Sequence, residues 1–267
     1  MISVISTHYG DDFYIKALIS NLYDTKILPE NTLYVVNNSI QDLVIEDKNI
    51  KILRFENNLV GSRQHAFGLN QCIRQLSEKE SSSKLLILDS DVLLQLNVDW
   101  HQYFINLSEQ FDATLAFEYG SNVLTHPCFM YLDGINSNDI DFLDGSYEFG
   151  FDTGRLIGYK LSKKYRVNKL FASRNKQIKL GDFYQNGSIF HLGSASLAYM
   201  PSRVTKNSIT RILGINLRKQ IYLAMLEKFS ISKGKKIQIF LVAITASMPF
   251  IFKSKLELIK VKLKNFK

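Results

Sequence analysis

The sequence contains few cysteines. Only two occur in the 267 residues, Cys72 and Cys128, and they are far apart in the chain. This number excludes a scaffold built on disulfides, and no Cys-x-x-Cys pair is present to hold zinc. We therefore expect a protein of a reducing compartment, in which both cysteines act as small buried hydrophobic side chains.

A long apolar segment is also missing. The most apolar stretch, residues 237–252, is too short for a membrane-spanning helix, and Gln238 and Pro249 interrupt it. The first residues show no basic region ahead of an apolar one, as a signal peptide would. These two absences predict a cytoplasmic protein, with peripheral attachment to the inner face of the membrane as an open alternative.

Several enzyme fingerprints are absent. No G-x-G-x-x-G follows a strand, and neither a Walker A loop nor a G-x-S-x-G elbow occurs. These absences argue against dehydrogenases, P-loop enzymes and α/β-hydrolases. The turn at residues 7–12 lacks the glycine-rich loop of sugar nucleotidyltransferases, which argues against that class too. Four histidines match no zinc-binding spacing and receive no metal assignment: His8, His65, His101 and His126.

Charge is unevenly distributed along the chain. The formal net charge is +8, yet residues 201–267 carry 15 Lys and Arg against two Glu, whereas the first 200 residues are slightly acidic. A basic segment with many apolar residues predicts an anionic membrane surface as its partner. Nucleic acid is less favoured, because no nucleic-acid motif is present, and packing on the rest of the chain is the remaining alternative.

Strand and helix patterns alternate along the first half of the chain. Short β-branched or alternating runs predict strands, and apolar residues three or four apart predict helices. The predicted strands are residues 2–6, 32–36, 50–55, 84–88, 113–117 and 128–132, and the predicted helices are 13–22 and 60–76. The pattern predicts an α/β domain over residues 1–202, with a mostly parallel sheet flanked by helices, and a basic helical segment over 203–267.

The strongest local signal for chemistry is a pair of carboxylates after an apolar strand. Asp89, Ser90 and Asp91 follow the buried run at residues 85–88. Hard divalent cations prefer oxygen ligands and share them with phosphate oxygens, so that they neutralise a diphosphate leaving group. The pattern predicts a Mn²⁺ or Mg²⁺ site at Asp89 and Asp91, with an ordinary turn as the alternative.

The order of four partial motifs in about the first 95 residues resembles the GT-A glycosyltransferases, similar to the large inverting family two. The first strand and its turn, with Thr7 and Tyr9, resemble the segment that grips the nucleoside. The second strand ends in Asn37 and Asn38, and Asn37 stands where the family commonly has the aspartate that reads the base. The resemblance implies that these four residues contact the donor.

The remaining donor contacts follow from the same resemblance. Gly61 resembles the glycine at the helix start near the diphosphate, where the family often has a basic residue. The spacing is one residue short, so Arg63 and His65 compete for that role. Asp89 and Ser90, within the D-x-D triplet, are also assigned to the donor.

The second half carries a candidate catalytic base and a third metal ligand. In the family, an acidic residue at a helix start removes the proton of the acceptor hydroxyl. The resemblance implies Asp152 as this base, with Glu148 and Asp144 as the next choices. For Asp152 the alternative is a structural role as the N-cap of the helix. His191 lies in a His-x-Gly-x-x-Ser-like segment, which implies contact with the metal or the diphosphate; a hydrogen-bonded structural role is the alternative.

Together these features predict a metal-dependent glycosyltransferase. The expected donor is a nucleotide-activated sugar, with uridine diphosphate as the default carrier, and the expected acceptor is a glycan or a lipid-linked sugar in surface polysaccharide synthesis. The resemblance implies inversion at the anomeric carbon. Two alternatives stay open: a GT-A-like binding or scaffold protein without turnover, and a nucleic-acid binder acting through residues 203–267.

Overall fold

Strands and helices alternate in the described part of the chain. The computed structural model describes residues 1–10, 12–79, 84–118, 120–143, 153–174 and 182–192. Its helices are α1 Phe13–Asp24, α2 Ser62–Lys79, α3 Trp100–Gln110 and α4 Ile157–Leu161. Its strands are β1 Ile2–His8, β2 Thr32–Asn37, β3 Ile50–Leu53, β4 Lys84–Asp89, β5 Val92–Leu94, β6 Ala113–Phe117, β7 Thr125–Leu132, β8 Val167–Phe171, β9 Ser173–Arg174, β10 Asp182–Tyr184 and β11 Ile189–His191. Single-turn 3₁₀ helices lie at Ser137–Asp139 and Gln185–Gly187.

The central sheet is mostly parallel. Within the described ranges it has seven strands in the order β3-β2-β1-β4-β7-β6-β8. The four strands β3, β2, β1 and β4 run parallel, β7 is antiparallel to both of its neighbours, and β8 returns parallel to β6. The predicted α/β class, with a mostly parallel sheet flanked by helices, is confirmed.

A small antiparallel sheet lies against this domain and was not predicted from the sequence. In the described residues its order is β5-β11-β10-β9, and β5 begins directly after Asp91. Strands of two or three residues are too short to show a period of two, so local pattern does not reveal them.

The core has two layers, one on each face of the central sheet. Side chains of a strand alternate between its faces, so Leu86 and Leu88 of β4 enter one layer, and Leu85 and Ile87 enter the other. The first layer includes buried residues of α1 and α3, and the second includes those of α2 and α4. Each fully buried leucine contributes about 1.5–3 kcal/mol of hydrophobic stabilisation.

Two polar side chains secure the elements next to the site. The amide of the buried Asn21 on α1 accepts from the Leu94 N–H at 2.8 Å and donates to the Leu94 carbonyl at 2.9 Å, which ties α1 to β5. Asp99 caps α3, accepting from the Gln102 N–H at 2.9 Å. Helix α3 was not predicted, although Trp100 and Phe104 show the buried i, i+4 spacing of a helix.

Both cysteines are free and buried, as expected. Among the described residues, no helix is both long and apolar enough to cross a membrane. The predicted basic segment, residues 203–267, lies outside the described residues, so its structure and its boundary stay predictions.

Candidate functional site

The carboxylates of the predicted metal site lie on the turn between β4 and β5. Asp89 ends β4, where it pairs in register with Thr7 of β1, and Asp91 lies just before Val92 opens β5. Strand β5 pairs with β11, and this register sets Val92 opposite His191. The small sheet therefore brings His191 to the two carboxylates.

The three side chains are close together and largely shielded from water. His191 Nε2 lies 3.1 Å from Asp91 Oδ1 and 3.6 Å from Asp89 Oδ2. The side chains of His191 and Asp91 are 3% and 6% exposed, whereas that of Asp89 is 20% exposed. Asp89 therefore forms the open side of the group.

The surroundings of His191 change the pKa of its imidazole. Burial by itself lowers the pKa of His191, but the charge of Asp91 and the neighbouring Cys128 outweigh burial. The pKa of His191 is raised well above its ordinary value as a result. The 3.1 Å contact between His191 Nε2 and Asp91 Oδ1 orients both side chains.

The donor atoms suit a divalent cation. Asp89, Asp91 and His191 each offer one ligand atom, and these atoms lie within 4.8 Å of one another. Two carboxylates and one imidazole are ligands that Mn²⁺ accepts, and Mg²⁺ would be held mainly through the carboxylates. The residues present therefore fit the predicted cation.

The start of α2 lies next to this group. His65 Nε2 lies 2.8 Å from Thr7 Oγ1 and 3.8 Å from Asp89 Oδ1. Gly61 precedes the helix with a φ of 62°, a left-handed conformation that glycine adopts without strain. Of the two basic candidates, His65 is the one that contacts Thr7 and Asp89, whereas Arg63 is exposed on the first turn of α2.

The amide of Asn37 shapes the loop that follows β2. Its Oδ1 accepts from the Ser39 N–H at 2.9 Å, and its Nδ2 donates to the Gln41 carbonyl at 3.1 Å. Gln64 of α2 donates to the Asn38 carbonyl at 3.2 Å, so the loop is tied to the same helix as His65. Both ends of the Asn37 amide have partners within this loop, and recognition of a base by Asn37 stays a prediction.

Two other predicted donor residues lie at the same edge of the sheet. Tyr9 follows β1 and Ser90 follows β4, and both are half-buried. The ends of β1, β2 and β4, together with the start of α2, thus gather most of the predicted donor residues at one edge.

The predicted base and its two alternatives, Asp152, Glu148 and Asp144, lie outside the described residues. The next described residue, Thr153, is buried, and its hydroxyl donates to the Ser62 carbonyl at 2.7 Å. Ser62 opens α2, so this contact ties the chain at Thr153 to the helix that carries His65.

Sequence reasoning missed several polar residues around His191. His126 and Cys128 of β7 lie next to the His191 imidazole, and Tyr184 of β10 contacts both of them. The one available signal was the His-x-Cys spacing just before and at the start of the predicted strand 128–132, because β7 begins at Thr125 and so places both ligand-type side chains on one face.

Comparison with known proteins identifies structural neighbours only. No protein-family model matches the chain, and no curated protein matches its sequence. The galactosyltransferase LgtC, in complex with donor and acceptor sugar analogs, is 9% identical with a TM-score of 0.48, over 88% of this chain and 100% of LgtC. TarS 1-349 of S. aureus is 13% identical with a TM-score of 0.44, over 93% of this chain and 72% of that one. A putative glucose-1-phosphate thymidylyltransferase from Bacillus anthracis is 10% identical with a TM-score of 0.42, over 65% and 87% of the two chains.

Proposed function

We propose that the chain is a metal-dependent glycosyltransferase that transfers a sugar from a nucleotide-diphosphate donor to a hydroxyl group. The observation that carries this proposal is the group of Asp89, Asp91 and His191 at the carboxyl ends of parallel strands. In open α/β sheets, ligands bind beyond these strand ends. Two carboxylates and an imidazole at that position suit a cation that is shared with a diphosphate.

The residues of the site would contact different parts of the donor. Asp89, Asp91 and His191 would hold Mn²⁺ or Mg²⁺, which neutralises charge on a diphosphate leaving group. His65, which lies next to Thr7 and Asp89, would donate a hydrogen bond to a phosphate oxygen. The N-terminus of α2 adds the positive end of its dipole. Tyr9, Asn38 and Ser90 would complete the contacts with the donor.

We assign the base of the reaction to Asp152, with Glu148 and Asp144 as the alternatives. A carboxylate that accepts the proton of the acceptor hydroxyl makes that oxygen a stronger nucleophile. The contact between Thr153 and Ser62 supports this assignment, because it ties the residue after Asp152 to the first turn of α2. The proposed transfer inverts the anomeric configuration, which NMR spectroscopy of the product tests directly.

A panel of nucleotides tests the donor site. We expect one of UDP, GDP, CDP and dTDP to bind tightly by isothermal titration calorimetry, and only with Mn²⁺ or Mg²⁺ present. UDP is the expected ligand. Slow metal-dependent hydrolysis of the matching nucleotide sugar is expected as well, and it separates an enzyme from a GT-A-like binding protein without turnover. Failure of all four nucleotides to bind the folded protein with metal present would exclude the proposal.

The acceptor is proposed to be a glycan or a lipid-linked sugar, with residues 203–267 holding the protein at an anionic membrane. These residues carry 15 Lys and Arg against two Glu. Each lysine or arginine near such a surface contributes about 1 kcal/mol, and salt screens the attraction. We expect the full chain to cosediment with phosphatidylserine vesicles at low salt and to be released at high salt. Equal binding to uncharged vesicles, or preference for RNA, would contradict this proposal.

A further inference from the structure

A second cluster of metal-binding side chains lies beside the carboxylates. His126 and Cys128 are two residues apart on β7, so their side chains project from the same face of the strand. His191 of β11 meets them from the small sheet, with its ring centroid 4.5 Å from that of His126. Each of the three residues offers one ligand atom, and these atoms lie within 4.8 Å of one another.

The chemistry of this cluster differs from that of the carboxylate site. One sulfur and two imidazole nitrogens form a softer donor set than two carboxylates and one imidazole. Zn²⁺ and similar cations favour thiolate and imidazole ligands, whereas Mg²⁺ and Mn²⁺ favour carboxylates. The two clusters therefore select different metals, although they share His191.

The dimensions of the cluster are close to those that zinc needs. Zinc binds sulfur at about 2.3 Å and nitrogen at about 2.0–2.1 Å, so its tetrahedral ligands lie roughly 3.3–3.7 Å apart. Side-chain shifts of about 1 Å would bring atoms within 4.8 Å into this range. Three protein ligands with one open position is a common coordination set for zinc.

A buried tyrosine supports the cluster from behind. The Tyr184 hydroxyl lies 3.2 Å from His126 Nδ1, and the same side chain interacts with the Cys128 thiol. Partners of this kind orient metal ligands and raise the affinity of the site. Tyr184 thus connects His126 and Cys128, the two candidate ligands on β7.

The exposure of the three side chains shows from which side a cation reaches the cluster, and burial affects the pKa of its thiol. Cys128 is fully buried and His191 nearly so, whereas His126 is half-buried and forms the open side of the cluster. Burial raises the pKa of the Cys128 thiol. A thiol that coordinates a metal ion is deprotonated by it, so the thiolate forms together with the bound cation.

We propose that His126, Cys128 and His191 bind Zn²⁺ or another thiophilic divalent cation, at a site separate from the carboxylate pair Asp89 and Asp91. This proposal does not depend on the proposed function, because it concerns only metal ligation by residues of β7 and β11. A zinc ion there would occupy the imidazole that the carboxylate site also uses.

Cobalt provides the spectroscopic test. The full chain, stripped of metal with a chelator and kept reduced, is titrated with Co²⁺ alone. We expect a near-ultraviolet charge-transfer band, which requires a thiolate ligand, and its loss when Zn²⁺ displaces Co²⁺. The band is expected to disappear in Cys128→Ser and to persist in Cys72→Ser, the matched variant of the other buried cysteine.

Two further variants keep the test decisive if Cys128→Ser does not fold. His126→Ala removes a half-buried ligand and is expected to lower Zn²⁺ affinity at least about 100-fold, measured against a chromophoric chelator. Asp89→Asn is expected to keep the charge-transfer band. The proposal is overturned if no band forms with folded wild type, or if the band survives in Cys128→Ser. It is equally overturned if Asp89→Asn abolishes Zn²⁺ binding while His126→Ala leaves the affinity unchanged.

Discussion

Asp91→Asn is expected to lower metal-dependent donor turnover by about 100-fold or more, because it weakens binding of a cation that supplies several kcal/mol of charge stabilisation. Asp91 is 6% exposed and lies 3.1 Å from His191 Nε2, so water has little access to compensate for the loss of its charge. The substitution keeps the shape of the side chain and removes only the charge. Hydrolysis of the nucleotide sugar, measured over a range of Mn²⁺ concentrations, reports the loss.

The matched control is Asp112→Asn. Asp112 forms an ion pair with Arg166 at 2.8 Å, and it precedes β6 at the opposite edge of the sheet from Asp89. We expect this variant to keep the wild-type turnover and metal dependence. Circular dichroism should show that both variants are folded. Equal activity of Asp91→Asn and wild type at every Mn²⁺ concentration would show that the activity does not depend on a cation bound by Asp91.

Gly158→Ala is expected to lower the free energy of unfolding by about 1–3 kcal/mol, because overpacking of a tight core typically costs this much. An added Cβ would lie 2.4 Å from Thr125 Oγ1 and 2.8 Å from the Phe117 ring. The Gly158 N–H also donates to that Thr125 hydroxyl at 2.8 Å, so displacing Thr125 breaks a buried hydrogen bond. Because Thr125 adjoins His126, the strain reaches the strand that carries the second cluster.

Gly134→Ala separates packing from backbone conformation. Gly134 is exposed with a φ of 67°, and an added Cβ would meet nothing within 4 Å. Its cost should be about 1 kcal/mol, from the left-handed backbone alone. Urea denaturation of the two variants and wild type measures both effects. If the losses are equal, or if Gly158→Ala is as stable as wild type, close packing at Gly158 is not what stabilises this region.

Local pattern was sufficient for most of the central sheet. Strands β1, β2 and β4 are runs of β-branched or large apolar residues, and their burial on both faces makes that signal strong. The predicted 60–76 helix begins at Ser62 because Gly61 adopts a left-handed φ that ends the preceding loop. Asp89 and Asp91, the proposed metal ligands, were predicted by the same means, since both lie on one turn.

The sequence by itself determined the α/β class, the polar residues that follow the parallel strands, and the two carboxylates of Asp89 and Asp91. Each of these features depends on residues that are close together in the chain. The resemblance implied His191 as the partner of these carboxylates, whereas only the tertiary structure decided how His191 reaches them and which other residues lie beside it. The pairing of β5 with β11 brings His191 to Asp91, and the same strand meets Cys128 of β7. Such contacts depend on strands of three residues that are stable only when paired, so no local pattern records them.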